Sequence, residues 1–160
     1  MPIVSNTSPI LNLAIINQLD LLREQFGQIQ VPLMVLQELK VDEDRPGSEV
    51  IRTAVATGWI QPVEVHNLSI VQLLNQTLDA GESEAIALAL ETSAEWTLLD
   101  ERDARKIAKS LGLRVTGILG ILLKAKQSGD ILSLKPYLED LRQKAGFRIA
   151  PTLLSQLLEE

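Results

Sequence analysis

The amino-acid sequence predicts an α/β fold in which a parallel sheet is covered by helices on both faces. Three observations carry this. Short apolar runs of strand length alternate with helical segments along the chain. One such run, residues 96–99, has no polar alternation, as in strands buried on both sides. Acidic or turn-forming residues stand directly after the first strand and after this one, where open parallel sheets build their sites.

In order, residues 2–5 read as a strand. Thr7 or Ser8 then caps a helix with Pro9 near its start and Ile10, Leu13 and Ala14 on one face. A second helix begins near Gln18 and ends at Gly27. Residues 29–31 form a strand, and Pro32 opens the helix that carries Glu38. Residues 41–47, with four charges, a proline and a glycine, make an exposed loop. A helix over 48–57 stops at Gly58, residues 59–65 are extended with Pro62 pointing to a sheet edge, and 69–76 are helical.

Asp79 with Glu82 forms a D-x-x-E pattern that starts the next helix, apolar on most sides from Ala85 to Leu90 and therefore central. After the strand over 96–99, the helix opened by Asp100 carries Ala104, Ile107, Ala108 and Leu111 on one face. Arg102, Arg105, Lys106 and Lys109 lie about 200° away and read as a solvent-facing stripe. A strand over 113–115, an apolar helix over 118–126 and two C-terminal helices, 134–144 and 152–159, complete the chain. The last carries a stripe from Leu153 to Leu158, read as core first and as a dimer seam second.

The 160 residues, 46% of them hydrophobic, suffice for one domain spanning 1–160 with its own core. There is no cysteine, which excludes thiolate metal sites, cysteine nucleophiles and disulfides, and points to the cytoplasm as the default compartment. Residues 1–19 lack charge, but Asn6, Thr7, Ser8, Pro9, Asn12, Asn17 and Gln18 interrupt any membrane-crossing run, so no membrane anchor is expected. A net charge of −6 argues against broad nucleic-acid binding, although carboxylates that hold divalent cations invert the local field. No G-x-G-x-x-G, Walker A or G-x-S-x-G motif occurs. His66 is the sole histidine and receives no catalytic role.

The polar residues at strand ends and buried helix starts are Asn6, Thr7, Ser8, Glu38, Glu82, Glu84, Asp100 and Asp103. If the sheet is parallel, Asn6 and Asp100 share one edge, and the helix start bearing Glu82 and Glu84 faces the same crevice. Oxygen donors without cysteine favour Mg²⁺ or Mn²⁺ over zinc. Each residue also has a structural explanation: Asn6, Thr7, Ser8 and Asp100 as helix caps, Asp103 as an acid in a first helical turn, Glu82 as half of a capping box, Glu38 as a solvated side chain. Joint placement favours the metal site.

Four segments, Ile3 to Pro9, Gln37-Glu38-Leu39, Gly81 to Ala89 and Leu98 to Arg105, resemble PIN domains in that order, and Gly146-Phe147-Arg148-Ile149 is similar to endings in a prokaryotic branch related to VapC-type toxins. The resemblance implies a three-layer α/β/α sandwich, an acidic Mg²⁺ or Mn²⁺ site, cleavage of single-stranded RNA and a homodimer. It further implies a small antitoxin protein as partner. By position, Asn6 replaces the family's usual first Asp, and Thr7 or Ser8 supplies a hydroxyl that helps hold metal water. Glu38 and Glu84 are the second and third acids, with Glu82 as alternate to Glu84, and Asp100 and Asp103 cover the last acidic region. The expected function is a metal-dependent endoribonuclease, toxin of a toxin–antitoxin pair; the rival is a PIN-like module that binds RNA or protein without cleaving. Asn6 keeps a hard oxygen but removes a charge, so one well-held ion is expected rather than two.

Overall fold

A computed structural model describes residues 1–158. Its elements run β1 (Ile3–Ser5), α1 (Thr7–Ile15), α2 (Asp20–Phe26), β2 (Ile29–Pro32), α3 (Leu33–Leu39), α4 (Ser48–Thr57) and β3 (Ile60–Val63), then α5 (Leu68–Leu74), α6 (Ala80–Thr92) and β4 (Trp96–Leu98). The chain closes with α7 (Arg102–Ser110), β5 (Val115–Thr116), α8 (Ile118–Gln127), α9 (Lys135–Ala145) and α10 (Pro151–Leu158). Glu159, expected at the end of the last helix, lies outside the described residues.

The five strands pair in parallel in the order β3-β2-β1-β4-β5. β3, which contains Pro62, is an edge strand, where the missing N–H breaks no ladder. Successive residues of β1 enter separate cores. Ile3 packs with Ile29, Val31, Ile60 and Leu98 under α1, α2, α4 and α8. Val4 packs with Ala85, Leu88 and Ala89 of α6. Burial on both faces is what makes the sheet the middle layer of an α/β/α sandwich.

Helix α6 is central because it has little polar surface after its first turn. Ala85, Ile86, Ala87, Leu88 and Ala89 are all buried, and each large side chain among them contributes roughly 1.5–3 kcal/mol by leaving water. The expected capping box is present: Asp79 Oδ1 accepts from the Glu82 N–H (2.8 Å), and Glu82 Oε1 accepts from the Asp79 N–H (3.2 Å).

Two expected caps are corrected. Asn6, not Thr7 or Ser8, occupies the N-cap position of α1, without a side-chain cap bond; Thr7 and Ser8 lie inside the helix and their hydroxyls donate to Glu38 and Asp100 instead. Asp100 does not cap α7, whose first turn begins at Arg102; its carboxylate crosses to the start of α8 instead. The strand expected over 113–115 forms at Val115–Thr116, since pairing with β4 sets its register through Thr97↔Val115 and Leu98↔Thr116. Among the described residues no helix is long and apolar enough to cross a membrane.

Candidate active site at the carboxyl edge of the sheet

The strand order reverses direction between β1 and β4: β2 and β3 lie to one side of β1, β4 and β5 to the other. Chain segments leaving these two strands diverge to opposite flanks and leave a crevice at their carboxyl ends. The pairing Ser5↔Leu98 continues as a hydrogen bond from the Asn6 N–H to the Leu98 carbonyl (3.0 Å), so Asn6 to Ser8 and Asp100 meet at this crevice.

An open cleft of about 530 Å³ occupies it, and Asn6, Thr7, Ser8, Glu38, Glu82 and Asp100 all line it. Asp79 and Glu101 add two more carboxylates, and Phe147 and Arg148 close one side. Thr7 Oγ1 donates to Glu38 Oε1 (2.5 Å). Ser8 Oγ donates to Asp100 Oδ2 (2.7 Å) and accepts from Asn12 Nδ2 (3.0 Å), and the Ile118 N–H donates to Asp100 Oδ1 (2.7 Å). Two adjacent hydroxyls thus orient two carboxylates from distant parts of the chain.

Glycine leaves the room in which these carboxylates lie close to backbone. A Cβ on Gly81, in the first turn of α6, would overlap the Glu38 carboxylate. A Cβ on Gly117 would come within 2.6 Å of Asp100 Oδ1, 2.8 Å of Arg105 Nη1 and 2.8 Å of the Leu99 carbonyl. Arg105, read from sequence as part of a solvent-facing stripe, is partly buried and donates to the Leu99 carbonyl (3.2 Å) beside Asp100.

Burial governs the electrostatics of two of these acids. Burial pushes the Glu82 carboxyl up to about 7, opposed by the Asp79 N–H and reinforced by Asp79, Glu101 and Glu38. Burial also raises Asp100, and the Ile118 N–H, the Ser8 hydroxyl and the Arg105 guanidinium oppose it. Asn6 is 6% exposed, and its Oδ1 is buried without a hydrogen-bond partner. A buried carbonyl oxygen left unpaired is costly, and a cation or a water bound in the cleft would relieve that cost.

Two expected acids are not brought to the cleft. Glu84 accepts from the Met34 N–H (3.3 Å) at the start of α3. Glu82 and Glu84 are two residues apart on one helix, about 200°, so both cannot face the crevice, and Glu82 is the one that does. Asp103 is exposed in the first turn of α7 and does not line the cleft. Asp79, expected only as a cap, and Glu101 and Asn12, not among the expected site residues, also line the cleft; their adjacency to Glu82, Asp100 and Ser8 is the signal that the sequence carries for them.

A family model described as a PIN domain matches residues 2–160. The chain belongs to the PIN-domain family. A search of curated proteins finds no match. PIN domains are generally nucleases, and this PIN domain has its acidic cleft at the switch point of its sheet.

The donor set suits a hard divalent cation: carboxylate and amide oxygens from Glu38, Glu82, Asp100 and Asn6, with the Asn6 Oδ1 unpartnered. Among the described residues no three acidic or histidine side chains already sit at ligand spacing. An ion here would engage the acids in part through its own waters, as Mg²⁺ commonly does.

Proposed function

We propose that this PIN domain is a metal-dependent endoribonuclease acting on single-stranded RNA. The observation that carries the reading is the meeting of Asn6, Glu38, Glu82 and Asp100, from four separate elements and turns, in one open cleft at the sheet's switch point. Glu82 takes the third acidic position in this proposal, in place of Glu84. Mg²⁺ or Mn²⁺, held by Asn6, Glu38, Glu82 and Asp100, would supply an activated water and neutralise a phosphodiester.

The chain's own groups have definable parts. The Thr7 hydroxyl holds Glu38 over Gly81, and the Ser8 hydroxyl with the Ile118 N–H fixes Asp100, so two ligand carboxylates are oriented before any substrate arrives. Glu82, titrating near 7 in the metal-free protein, exchanges a proton at neutral pH, so protons and cations compete for it. Five carboxylates in the cleft would repel a phosphate in the absence of a cation, which supports metal dependence.

The test is incubation of labelled single-stranded RNA with Mn²⁺ or Mg²⁺, with and without EDTA. Cleavage that requires metal and is lost in Glu38→Gln and Glu82→Gln is expected. No metal-dependent cleavage, or wild-type cleavage by both variants, would sink the proposal.

One observation favours a second reading, a PIN-like module that binds RNA or protein without cleaving. Asn6 stands at the central strand end without a charge. Cleavage by Asn6→Asp but not by the wild type would support it; cleavage by the wild type would end it.

A further inference from the structure

A second cavity, a groove of about 700 Å³, adjoins the acidic cleft and shares Asp100, Phe147 and Arg148 with it. Its charge is the reverse. Arg102, Arg105, Lys106 and Lys109 of α7 line it with Arg148, against the single carboxylate of Asp100. In a protein of net charge −6 this local excess of cations is the opposite of the average surface. Among the described residues Arg102, Lys106, Lys109 and Arg148 form no ion pair, and all four are exposed. Along its other side the groove is apolar, with Leu119 and Leu123 of α8, Phe147, Ile149 and Leu153. The α7 stripe is therefore one wall of a groove rather than a plain solvated face.

We infer that this groove is the track by which a single-stranded nucleic acid reaches the cleft, its phosphates on Arg102, Lys106, Lys109 and Arg148 and its bases against the apolar wall. Charge complementarity selects a polyanion. The apolar wall selects a strand with unstacked bases, because a duplex hides its base faces. Continuity through Phe147 and Arg148 delivers that strand to the carboxylates, where Arg148 is the cation common to both cavities. The inference rests on the nuclease reading for what happens at the end of the track, not for binding along it.

Fluorescence anisotropy in EDTA tests binding alone, with labelled oligouridylate and oligodeoxythymidylate of about 15 nucleotides across a salt series. Arg102→Ala/Lys106→Ala/Lys109→Ala is expected to weaken binding by about tenfold or more. It should also reduce the slope of log affinity against log salt by about 2, at roughly 0.7 for each phosphate no longer neutralised. Arg148→Ala weakens binding in the same direction. The exposed cations Arg23, Lys124 and Lys135 lie off the groove, and their triple alanine variant should stay within about twofold of wild type. Unchanged thermal melting of each variant excludes misfolding.

Tighter binding of the ribo-oligomer assigns the track to RNA, and equal binding assigns it to any single strand; both support the inference. It is overturned if neither oligomer binds, if the groove variant binds as wild type does, if the control loses as much, or if polyglutamate binds where the oligomers do not. Groove-dependent binding without metal-dependent cleavage would retain the track and remove the nuclease. Wild-type cleavage by the groove variant at subsaturating RNA would do the reverse.

Discussion

Replacing Glu82 by Gln tests the electrostatic account of the cleft directly. The amide preserves the length of the side chain and an oxygen to accept the Asp79 N–H, but removes the titrating proton. In the wild type, Glu82 titrates near 7 when folded, against an ordinary value of 4.5. Between those values the folded protein binds more protons than the unfolded chain, so stability falls as pH rises. The loss is absent below pH 4.5 and complete above pH 7, with an upper bound of about 3 kcal/mol. Because the carboxylate faces an open cleft, water screens it, and about 1–2 kcal/mol is the working figure. For a chain of this size that corresponds to roughly 3–6 °C in Tm. Melts in EDTA should therefore show Glu82→Gln gaining on the wild type between pH 4.5 and pH 8. With Mn²⁺ the order should narrow or invert, because the wild type gains RT ln(1 + [L]/Kd), about 2.7 kcal/mol at 100 Kd, and the variant gains less. A difference between the two proteins that is the same at both pH values would refute the reasoning.

Other outcomes follow from the same geometry. Asp100→Ala leaves the Ile118 N–H and the Ser8 hydroxyl without their acceptor and should cost about 2–3 kcal/mol in urea unfolding; a loss under about 1 kcal/mol would contradict the anchoring role. Gly81→Ala improves helix propensity by up to about 1 kcal/mol but displaces the mobile end of Glu38, so stability should hold while the Mn²⁺-induced rise in Tm shrinks. Gly117→Ala, by contrast, meets the backbone carbonyl of Leu99 and should destabilise by about 1–3 kcal/mol in the same unfolding assay. Thr7→Val removes the donor to Glu38, and calorimetric titration with Mn²⁺ should show weaker binding; unchanged affinity would mean that Glu38 needs no orientation.

Much of the fold was legible because it rests on local patterns. The alternation of short apolar strands with helices, Pro62 at an edge, and the Asp79–Glu82 capping box each follow from side-chain chemistry within a few residues. The site was legible in part. Asn6, Thr7, Ser8, Glu38 and Asp100 could be singled out because strand ends and their succeeding turns collect on one edge of a parallel sheet. Local pattern was misleading where a side chain had a second partner across the fold. Thr7, Ser8 and Asp100 read as caps for their own helices, yet bond across the fold to Glu38, to each other and to α8.

Residue types, their order and the helical phase are properties of the chain itself, and from them came the parallel sheet, the acidic edge and the conflict between Glu82 and Glu84. Which of those two acids faces the cleft depends on how α6 is rotated against the sheet, and that is decided by burial of Ile86, Leu88 and their neighbours. The same holds for the cations of α7. Their stripe is written in the sequence, but only the approach of α8 and residues 147–157 turns it from a solvated face into a groove that opens onto the carboxylates.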